Sequence, residues 1–134
     1  MLCADLFKKV LDEKEFTYDA GVDSDGDDFV NFPYKGKTTR CFFSGDNGKY
    51  FSAYLVYERV PDDKFAAALL ACNSLNVRFK WVTFYIDKDN DIMLHLDAIL
   101  SPDNAGEEAL ELLIRMISIG DDAKPVIMKA LYAD

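Results

Sequence analysis

Residues 38–59 read TTRCFFSGDNGKYFSAYLVYER, two β-rich runs on either side of a Gly-Asp-Asn-Gly turn. An Asn-Gly pair between such runs is typical of a β-hairpin, because both residues tolerate the left-handed backbone of a tight turn. In the second run, residues 50–59, apolar side chains occupy both odd and even positions. This pattern predicts two antiparallel strands in a sheet with apolar side chains on both faces.

The sequence before this hairpin predicts a helix and two more strands. In residues 2–15 apolar side chains recur every four positions, as in an amphipathic helix: Leu2, Leu6 and Val10, with Cys3, Phe7 and Leu11 beside them. Residues 16–28 predict a short strand and then an acidic loop. Residues 29–34 predict a further strand, in which Pro33 favours its end or a sheet edge.

The sequence after this hairpin predicts a second helix and a second hairpin. Asp62 is the expected N-cap of the helix, and its predicted buried stripe is Phe65, Ala68, Leu69 and Cys72. The hairpin is expected from residues 78–86 and 92–100, joined by the acidic residues 87–91.

The last third of the chain predicts a helix with a buried stripe of Leu110, Leu113 and Ile117. Gly120 and Pro125 are expected to stop or bend it, with a final helical piece at residues 123–132. The predicted order is α-βββ-α-ββ-α, in which the short strand within residues 16–28 is not counted. This order indicates one α+β domain over residues 1–134, with an antiparallel sheet packed against helices.

Composition limits the possible partners. The chain has 134 residues, half of them hydrophobic, and a formal net charge of −9. Such a charge repels phosphate backbones and anionic lipids, so protein partners are favoured over nucleic acid or membranes. With no signal peptide or membrane-spanning run predicted, a cytoplasmic protein is expected. Three unevenly spaced cysteines predict reduced, mostly buried thiols: Cys3, Cys41 and Cys72.

Two acidic strings, residues 23–28 and 87–91, suggest calcium loops, but neither has the glycine at position six or the glutamate at position twelve that an EF-hand needs. Solvated turns are the favoured interpretation, because Asp and Asn side chains bond their own backbone. A small-ligand or metal site stays an alternative. Its candidate ligands are Asp87, Asp89 and Asp91, or His95 and Asp97.

Catalytic motifs are not found. Gly36-Lys37-Thr38 matches the end of a P-loop, but Asn31 stands where the loop needs its first glycine. His95 and Asp97 share a strand face, yet no nucleophile elbow accompanies them. The sequence therefore predicts no enzyme, no catalytic residue, no cofactor and no metal ligand. An enzyme of unrecognised type is the least favoured alternative.

The predicted strands are rich in aromatic residues, which alternation distributes over both faces of the sheet. If helices cover only one face, the other keeps an aromatic surface large enough to bind a partner. If the three helices cover both faces, no such surface exists. The candidate interaction residues are Tyr54, Phe79, Trp81 and Tyr85.

The second helix and hairpin resemble the YbjN family. The similarity lies in residues 69–76 (LLACNSLN), in Phe79 and Trp81, and in the strand 83–87 (TFYID). The acidic turn at 87–91, the return strand 92–97 and the late Asp122-x-x-Pro125 also match. The first half matches in the order of its elements, and the resemblance covers residues 29–131.

The resemblance implies a fold like that of type III secretion chaperones, a curved antiparallel sheet with helices that is often dimeric. Proteins with that fold bind other proteins, so the resemblance also implies a protein-binding function, and the family is described as regulators of bacterial sensory transduction. No catalytic residue follows from it. The leading hypothesis is a non-enzymatic, chaperone-like adaptor or regulator in a bacterial cytosol, acting on a protein partner, as a homodimer, or both.

Overall fold

The computed structural model describes residues 1–133, which form three α-helices and six β-strands. The helices are α1 (Leu2–Glu13), α2 (Phe65–Arg78) and α3 (Ala105–Tyr132). The strands are β1 (Asp19–Val22), β2 (Asp28–Tyr34), β3 (Lys37–Ser44), β4 (Tyr50–Arg59), β5 (Thr83–Ile86) and β6 (Asp91–Ile99). Their order in the sheet is β1-β2-β3-β4-β6-β5. The predicted α+β class with an antiparallel sheet is confirmed.

Four strands lie between α1 and α2, whereas the predicted order has three. The extra strand is β1, which lies in the segment 16–28 that was predicted to hold a short strand. It pairs with β2 in antiparallel register, from Asp19 opposite Asn31 to Val22 opposite Asp28. Both predicted hairpins are present, although the boundaries of the second one differ.

The chain divides into two compact units. The first unit comprises Met1–Tyr54 and Asp97–Ile114, and the second comprises Leu55–Leu96 and Arg115–Asp134. The prediction of one domain over residues 1–134 stays a prediction.

The core of the first unit lies between α1 and one face of β2 and β3. Phe7 of α1 is fully buried, with its ring centroid 6.3 Å from that of Phe32 and 5.8 Å from that of Phe43. At the start of α3, a Cβ on Gly106 would lie 2.5 Å from the carbonyl oxygen of Leu6. Any larger residue there would therefore force α1 and α3 apart.

In the second unit, α2 packs on β5 and is fixed to it by one side chain. The Asn76 amide accepts a hydrogen bond from the Phe84 N–H at 2.7 Å and donates one to the Phe84 carbonyl at 2.9 Å. A single amide thus satisfies both backbone groups of a strand residue, as a neighbouring strand would. This contact sets where β5 lies against the end of α2.

Two predictions about α2 are wrong. The helix begins at Phe65 after a 3₁₀ turn over Asp62–Lys64, and Asp62 makes no side-chain cap hydrogen bond. The buried residues are Ala68, Ala71, Cys72 and Leu75, whereas Phe65 and Leu69 are exposed. Residues 65–77 contain no charged side chain. The sequence pattern therefore lacks the polar face that normally tells which side of a helix points outward.

The start of the second hairpin is also corrected. Residues 78–86 were predicted as a strand, but Arg78 ends α2 and β5 begins only at Thr83. Phe79 and Trp81 lie in the connection between them. Trp81 has φ 77°, a left-handed conformation that a bulky residue rarely adopts. Such a backbone cannot continue a strand.

The helix α3 runs through both Gly120 and Pro125, so the helix does not stop at these residues, and the predicted alternative of a bend stays a prediction. Pro125 lacks the N–H that would bond the carbonyl of Asp121. One residue earlier, the Tyr57 hydroxyl donates a 2.7 Å hydrogen bond to the Gly120 carbonyl, which ties this part of the helix to β4. Within residues 1–133, no helix is long and apolar enough to cross a bilayer.

Candidate protein-interaction surface

One face of the sheet in the first unit is left uncovered. Strand positions alternate between fully buried side chains, such as Val30, Cys41 and Ala53, and side chains that are half-buried or exposed. We call the second set the open face. It consists of Phe29, Asn31, Arg40, Phe42, Ser52, Tyr54 and Asp97. The alternative that helices cover both faces is therefore wrong for this unit.

The centre of the open face is a row of aromatic rings on β2, β3 and β4. Phe29 lies directly opposite Phe42 in the β2–β3 register. The Phe42 and Tyr54 rings meet edge-to-face, with centroids 6.0 Å apart. All three rings are half-buried and still reach solvent. Aromatic side chains in this state give a partner a rigid apolar contact area at low entropic cost.

Polar side chains surround this row. The Arg40 guanidinium lies 5.5 Å from the Phe29 ring centroid and donates a 2.9 Å hydrogen bond to Asn31. On the other side, the Ser52 hydroxyl donates a 2.6 Å hydrogen bond to the Asp97 carboxylate. An apolar centre with a hydrogen-bonded polar rim is the usual composition of a protein–protein interface.

A shallow depression of about 260 Å³ continues the open face toward the ends of β4 and β6. Its lining is Tyr50, Phe51, Ser52, Asp97, Ala98 and Ile99. Tyr50 and Ile99 are among the most exposed large apolar side chains of the first unit. The depression could hold one side chain of a bound segment, because it is apolar at the edges and polar at Ser52 and Asp97.

The four predicted interaction residues belong to different units of the chain. Tyr54 belongs to the open face of the first unit, while the other three belong to the second unit. Tyr85, on β5, packs edge-to-face on His95 at 6.4 Å. Phe79 is half-buried against Phe84, with centroids 6.4 Å apart. Trp81 is 63% exposed, and the Arg115 guanidinium lies over its ring at 5.8 Å.

Both acidic strings fold as turns, as predicted, and by the same hydrogen bonds. The Asp23 carboxylate accepts from the backbone N–H groups of Asp25 at 2.9 Å and Asp27 at 3.0 Å. The Asp87 carboxylate accepts from the residues two and four positions later, both at 3.0 Å. Gly26 and Asn90 supply the positive φ that each turn needs.

Two of the alternative ligand residues have protein partners. Asp97 accepts from Ser52, and His95 packs against Tyr85. Among residues 1–133, no group of three or more His, Cys, Asp and Glu side chains is arranged to hold a metal ion.

The three cysteines are free and buried, which confirms the predicted reduced thiols. Burial raises the pKa of the Cys41 thiol to about 12 and that of Cys72 to about 11. Both thiols are therefore protonated at neutral pH, a state that does not support nucleophilic attack.

Comparison with known families decides the identity of the chain. The YbjN family, described as "Putative bacterial sensory transduction regulator", matches residues 4–124. The chain belongs to the YbjN family. The match confirms the resemblance and begins earlier than the predicted residue 29, so it includes α1 and the first strands of this YbjN protein. No curated protein sequence gave a match.

Two solved structures are similar to this YbjN chain. One is the Yersinia pestis type III secretion chaperone SycH in complex with a fragment of YscM2, at 9% identity, with 87% of this chain and 98% of that chain covered and a TM-score of 0.49. The other is the heterodimeric ExoU–SpcU complex from the type III secretion system of Pseudomonas aeruginosa, at 14% identity, with both chains fully covered and a TM-score of 0.47. At these values, no residue of this chain takes a role from either complex.

Sequence reasoning missed two features. The first is the Asn76 clamp on Phe84, which lies in the stretch that resembles the family but had no assigned role. The second is the exposure of Leu70 and Val77 on α2. A signal for this exposure was present, since residues 65–77 form a helix without any charged residue.

Proposed function

We propose that this YbjN protein is a non-enzymatic protein-interaction module that acts as an adaptor or chaperone-like regulator in the bacterial cytosol. Its proposed partner is another protein, a second copy of the chain, or both. Nucleic acid and membranes are not proposed as partners, because the net charge of −9 repels phosphate groups. The family description supports a regulatory role and specifies no partner.

One observation carries this proposal: the aromatic row of the open face lacks a cover within its own unit. A row of three half-buried aromatic rings that still reach water carries a free-energy cost, and an apolar patch of this kind on a protein surface is often a binding site. Of the four predicted interaction residues, Tyr54 is the one that lies in this row. The hydrogen-bonded rim of Arg40, Asn31, Ser52 and Asp97 would orient the partner.

Affinity capture with a matched pair of variants tests the proposal. The tagged chain is used as bait in a lysate of the source bacterium, and captured proteins are quantified by mass spectrometry. We expect reproducible enrichment of at least one protein. Replacing both central rings, in Phe42→Ser/Tyr54→Ser, should reduce that enrichment by about tenfold or more, because aromatic anchors dominate binding energy.

The control bait is Tyr132→Ser, which removes an exposed tyrosine of the second unit. It should capture the partner as well as the unaltered chain does. Circular dichroism and urea unfolding establish that each bait is folded. Absence of any reproducible protein, or equal capture by the Phe42→Ser/Tyr54→Ser bait, would contradict the proposal.

A further inference from the structure

The hairpin formed by β2 and β3 differs in charge from the rest of the chain. Residues 29–45 contain Lys35, Lys37 and Arg40 and no acidic residue, so all 24 Asp and Glu side chains of the chain lie outside them. Lys35 and Arg40 are exposed, and Lys37 is half-buried. We call residues 29–45 the basic hairpin. In a chain of net charge −9, it is a local surface that attracts negative groups.

The backbone at the tip of the basic hairpin is unfavourable for the lysine that occupies it. Tyr34 pairs with Lys37, so a two-residue turn of Lys35 and Gly36 joins the strands. Both turn residues have positive φ, 50° and 77°, as a type I′ turn requires. Asn, Asp and Gly are preferred at the first position, and a lysine there is strained. The strained position places a positive charge at the exposed tip of the basic hairpin.

The Arg40 guanidinium is held in place on the open face. Its Nε donates a 2.9 Å hydrogen bond to Oδ1 of Asn31, and its central carbon lies 5.5 Å from the Phe29 ring centroid. Asn31 is held in turn, because its amide donates a 3.4 Å hydrogen bond to the Asp19 carboxylate. The part of the chain that the structure describes supplies Arg40 with no ion pair. The N–H groups of its two terminal nitrogens are therefore available to a partner.

N–H groups in this arrangement match a carboxylate. Two parallel N–H bonds from one guanidinium fit the two oxygens of an Asp or Glu side chain. Asn31 and the Phe29 ring orient the guanidinium before binding, so little side-chain entropy is lost when the carboxylate binds. Phe42 lies two residues from Arg40 on the same face of β3, about 7 Å along the strand. One extended segment can therefore place an apolar side chain on the aromatic row and a carboxylate on Arg40.

We infer that the basic hairpin binds a short acidic segment of the partner protein. In this segment an aromatic or aliphatic residue lies about two or three residues from an Asp or Glu. The apolar side chain contacts Phe42 and Tyr54, and the carboxylate pairs with Arg40. The inference rests on the proposed function, because it specifies the chemistry of the partner that the open face binds.

The charges around the open face give the segment a direction and limit its size. Asp97 lies on β6, on the far side of β4 from Arg40, and its exposed carboxylate repels that of the segment. The acidic end of the segment is therefore directed toward the basic hairpin. The acidic surface elsewhere on the chain disfavours a strongly acidic domain as partner. A segment with few carboxylates, within a neutral or basic protein, fits both conditions.

Selection from a display library of random peptides tests this specificity. Peptides of about 12 residues are long enough to cross the open face. We expect the full chain to select peptides in which Asp or Glu is enriched near an aromatic or aliphatic residue. The most enriched peptide is then synthesised with a fluorescent label, and fluorescence anisotropy measures its dissociation constant for each variant of the chain.

Substitutions of Arg40 test which group holds the carboxylate. Arg40→Glu should weaken binding of the labelled peptide by about tenfold or more, because an ion pair becomes a like-charged contact. Arg40→Lys keeps the charge without the paired N–H groups and should weaken binding by about threefold to fivefold. The control is Arg59→Glu, which changes the net charge equally at an exposed arginine of the second unit. It should change the dissociation constant by less than about twofold.

The inference is overturned if no peptide is selected, if the selected peptides have no excess of Asp and Glu, or if Arg40→Glu binds as well as the unaltered chain. It is also overturned if labelled oligo-uridine RNA binds and Arg40→Glu releases it, since Arg40 would then hold phosphate groups. Circular dichroism establishes that each variant is folded.

Failure of this inference is distinct from failure of the proposed function. In the lysate experiment, capture that is lost in Phe42→Ser/Tyr54→Ser and kept in Arg40→Glu would show a protein-binding aromatic row that does not need the basic hairpin. Selection of acidic peptides by a chain that captures no protein from the lysate would instead support the basic hairpin and contradict the proposed function.

Discussion

The helices α1 and α2 have similar lengths, 12 and 14 residues, but they present opposite surfaces to solvent. The outward side of α1 carries charged residues, including Asp5, Lys9 and Asp12. The outward side of α2 carries Leu70 and Val77, and its residues 65–77 contain no charged side chain. Both helices bury the opposite side in the unit to which they belong.

This difference shows that an apolar residue in a helix can serve two purposes, to fill the core of its own unit or to contact another molecule. In α1 such residues fill the core, and water receives the charged side. In α2 the core requires only Ala68, Ala71, Cys72 and Leu75, so Leu70 and Val77 contribute little to the stability of a single chain. Apolar residues beyond the needs of the core indicate a surface that another molecule covers.

The largest expected effect is a loss of unfolding free energy when a leucine of α1 is replaced by alanine. The same replacement in α2 is the comparison. Leu11→Ala in α1 should lower the free energy of unfolding by about 2–5 kcal/mol, because Leu11 is fully buried. Leu70→Ala should change it by less than about 0.5 kcal/mol. Urea unfolding at a concentration low enough for the monomer measures both values. Equal losses of unfolding free energy would contradict the proposed difference between the two helices.

The Asn76 clamp gives the next largest effect and stays within α2. Asn76→Ala should lower the free energy of unfolding by about 1–3 kcal/mol, since the N–H and carbonyl of Phe84 lose their amide partner. Asn73→Ala, at an exposed position of α2, is the control and should change the free energy of unfolding by less than about 0.5 kcal/mol. If both asparagines behave alike in urea unfolding, the clamp is not a stabilising contact.

Two tyrosine hydroxyl groups, one half-buried and one exposed, extend the comparison to hydrogen bonds of α3. Tyr57→Phe removes the bond to the Gly120 carbonyl and should cost about 1 kcal/mol. Tyr132→Phe removes an exposed 3.2 Å bond to Glu58 and should cost less than about 0.5 kcal/mol. The shift in thermal midpoint measures both. A larger loss for Tyr132→Phe would show that burial does not rank these contacts.

The smallest effect is a pH dependence from Cys72, on the buried side of α2. Burial raises its pKa from 9.0 to about 11 in the folded chain. Its contribution to stability is therefore complete below pH 9 and is lost as the pH rises through 11. At about pH 9.5 this loss is about 0.8 kcal/mol. Urea unfolding of Cys72→Ala between about pH 7 and 9.5 should show a shallower decline than the unaltered chain, and parallel declines would contradict the assignment.

Much of the fold could be predicted because its signals are local. The two acidic turns form the same hydrogen bonds within five residues each, so Asp23 and Asp87 suffice to predict them. The buried stripe of α3 at Leu110, Leu113 and Ile117 follows from helical spacing and is confirmed. The candidate interaction residues stay a prediction. Tyr54 lies on the open face, and Trp81 lies in the connection before β5 with a left-handed backbone that the sequence pattern did not indicate.

The sequence by itself determined the α+β class, the two hairpins, the acidic turns and the family, because these depend on neighbouring residues and on spacing along the chain. Only the tertiary structure decided which side of α2 is buried, since residues 65–77 have no charged side chain to mark the side that faces water. It also decided that β5 starts at Thr83, where Asn76 holds the next residue, and that α3 continues through Pro125. These outcomes depend on contacts between residues distant in sequence. Such contacts outweigh local conformational preference where the local sequence pattern does not favour one arrangement.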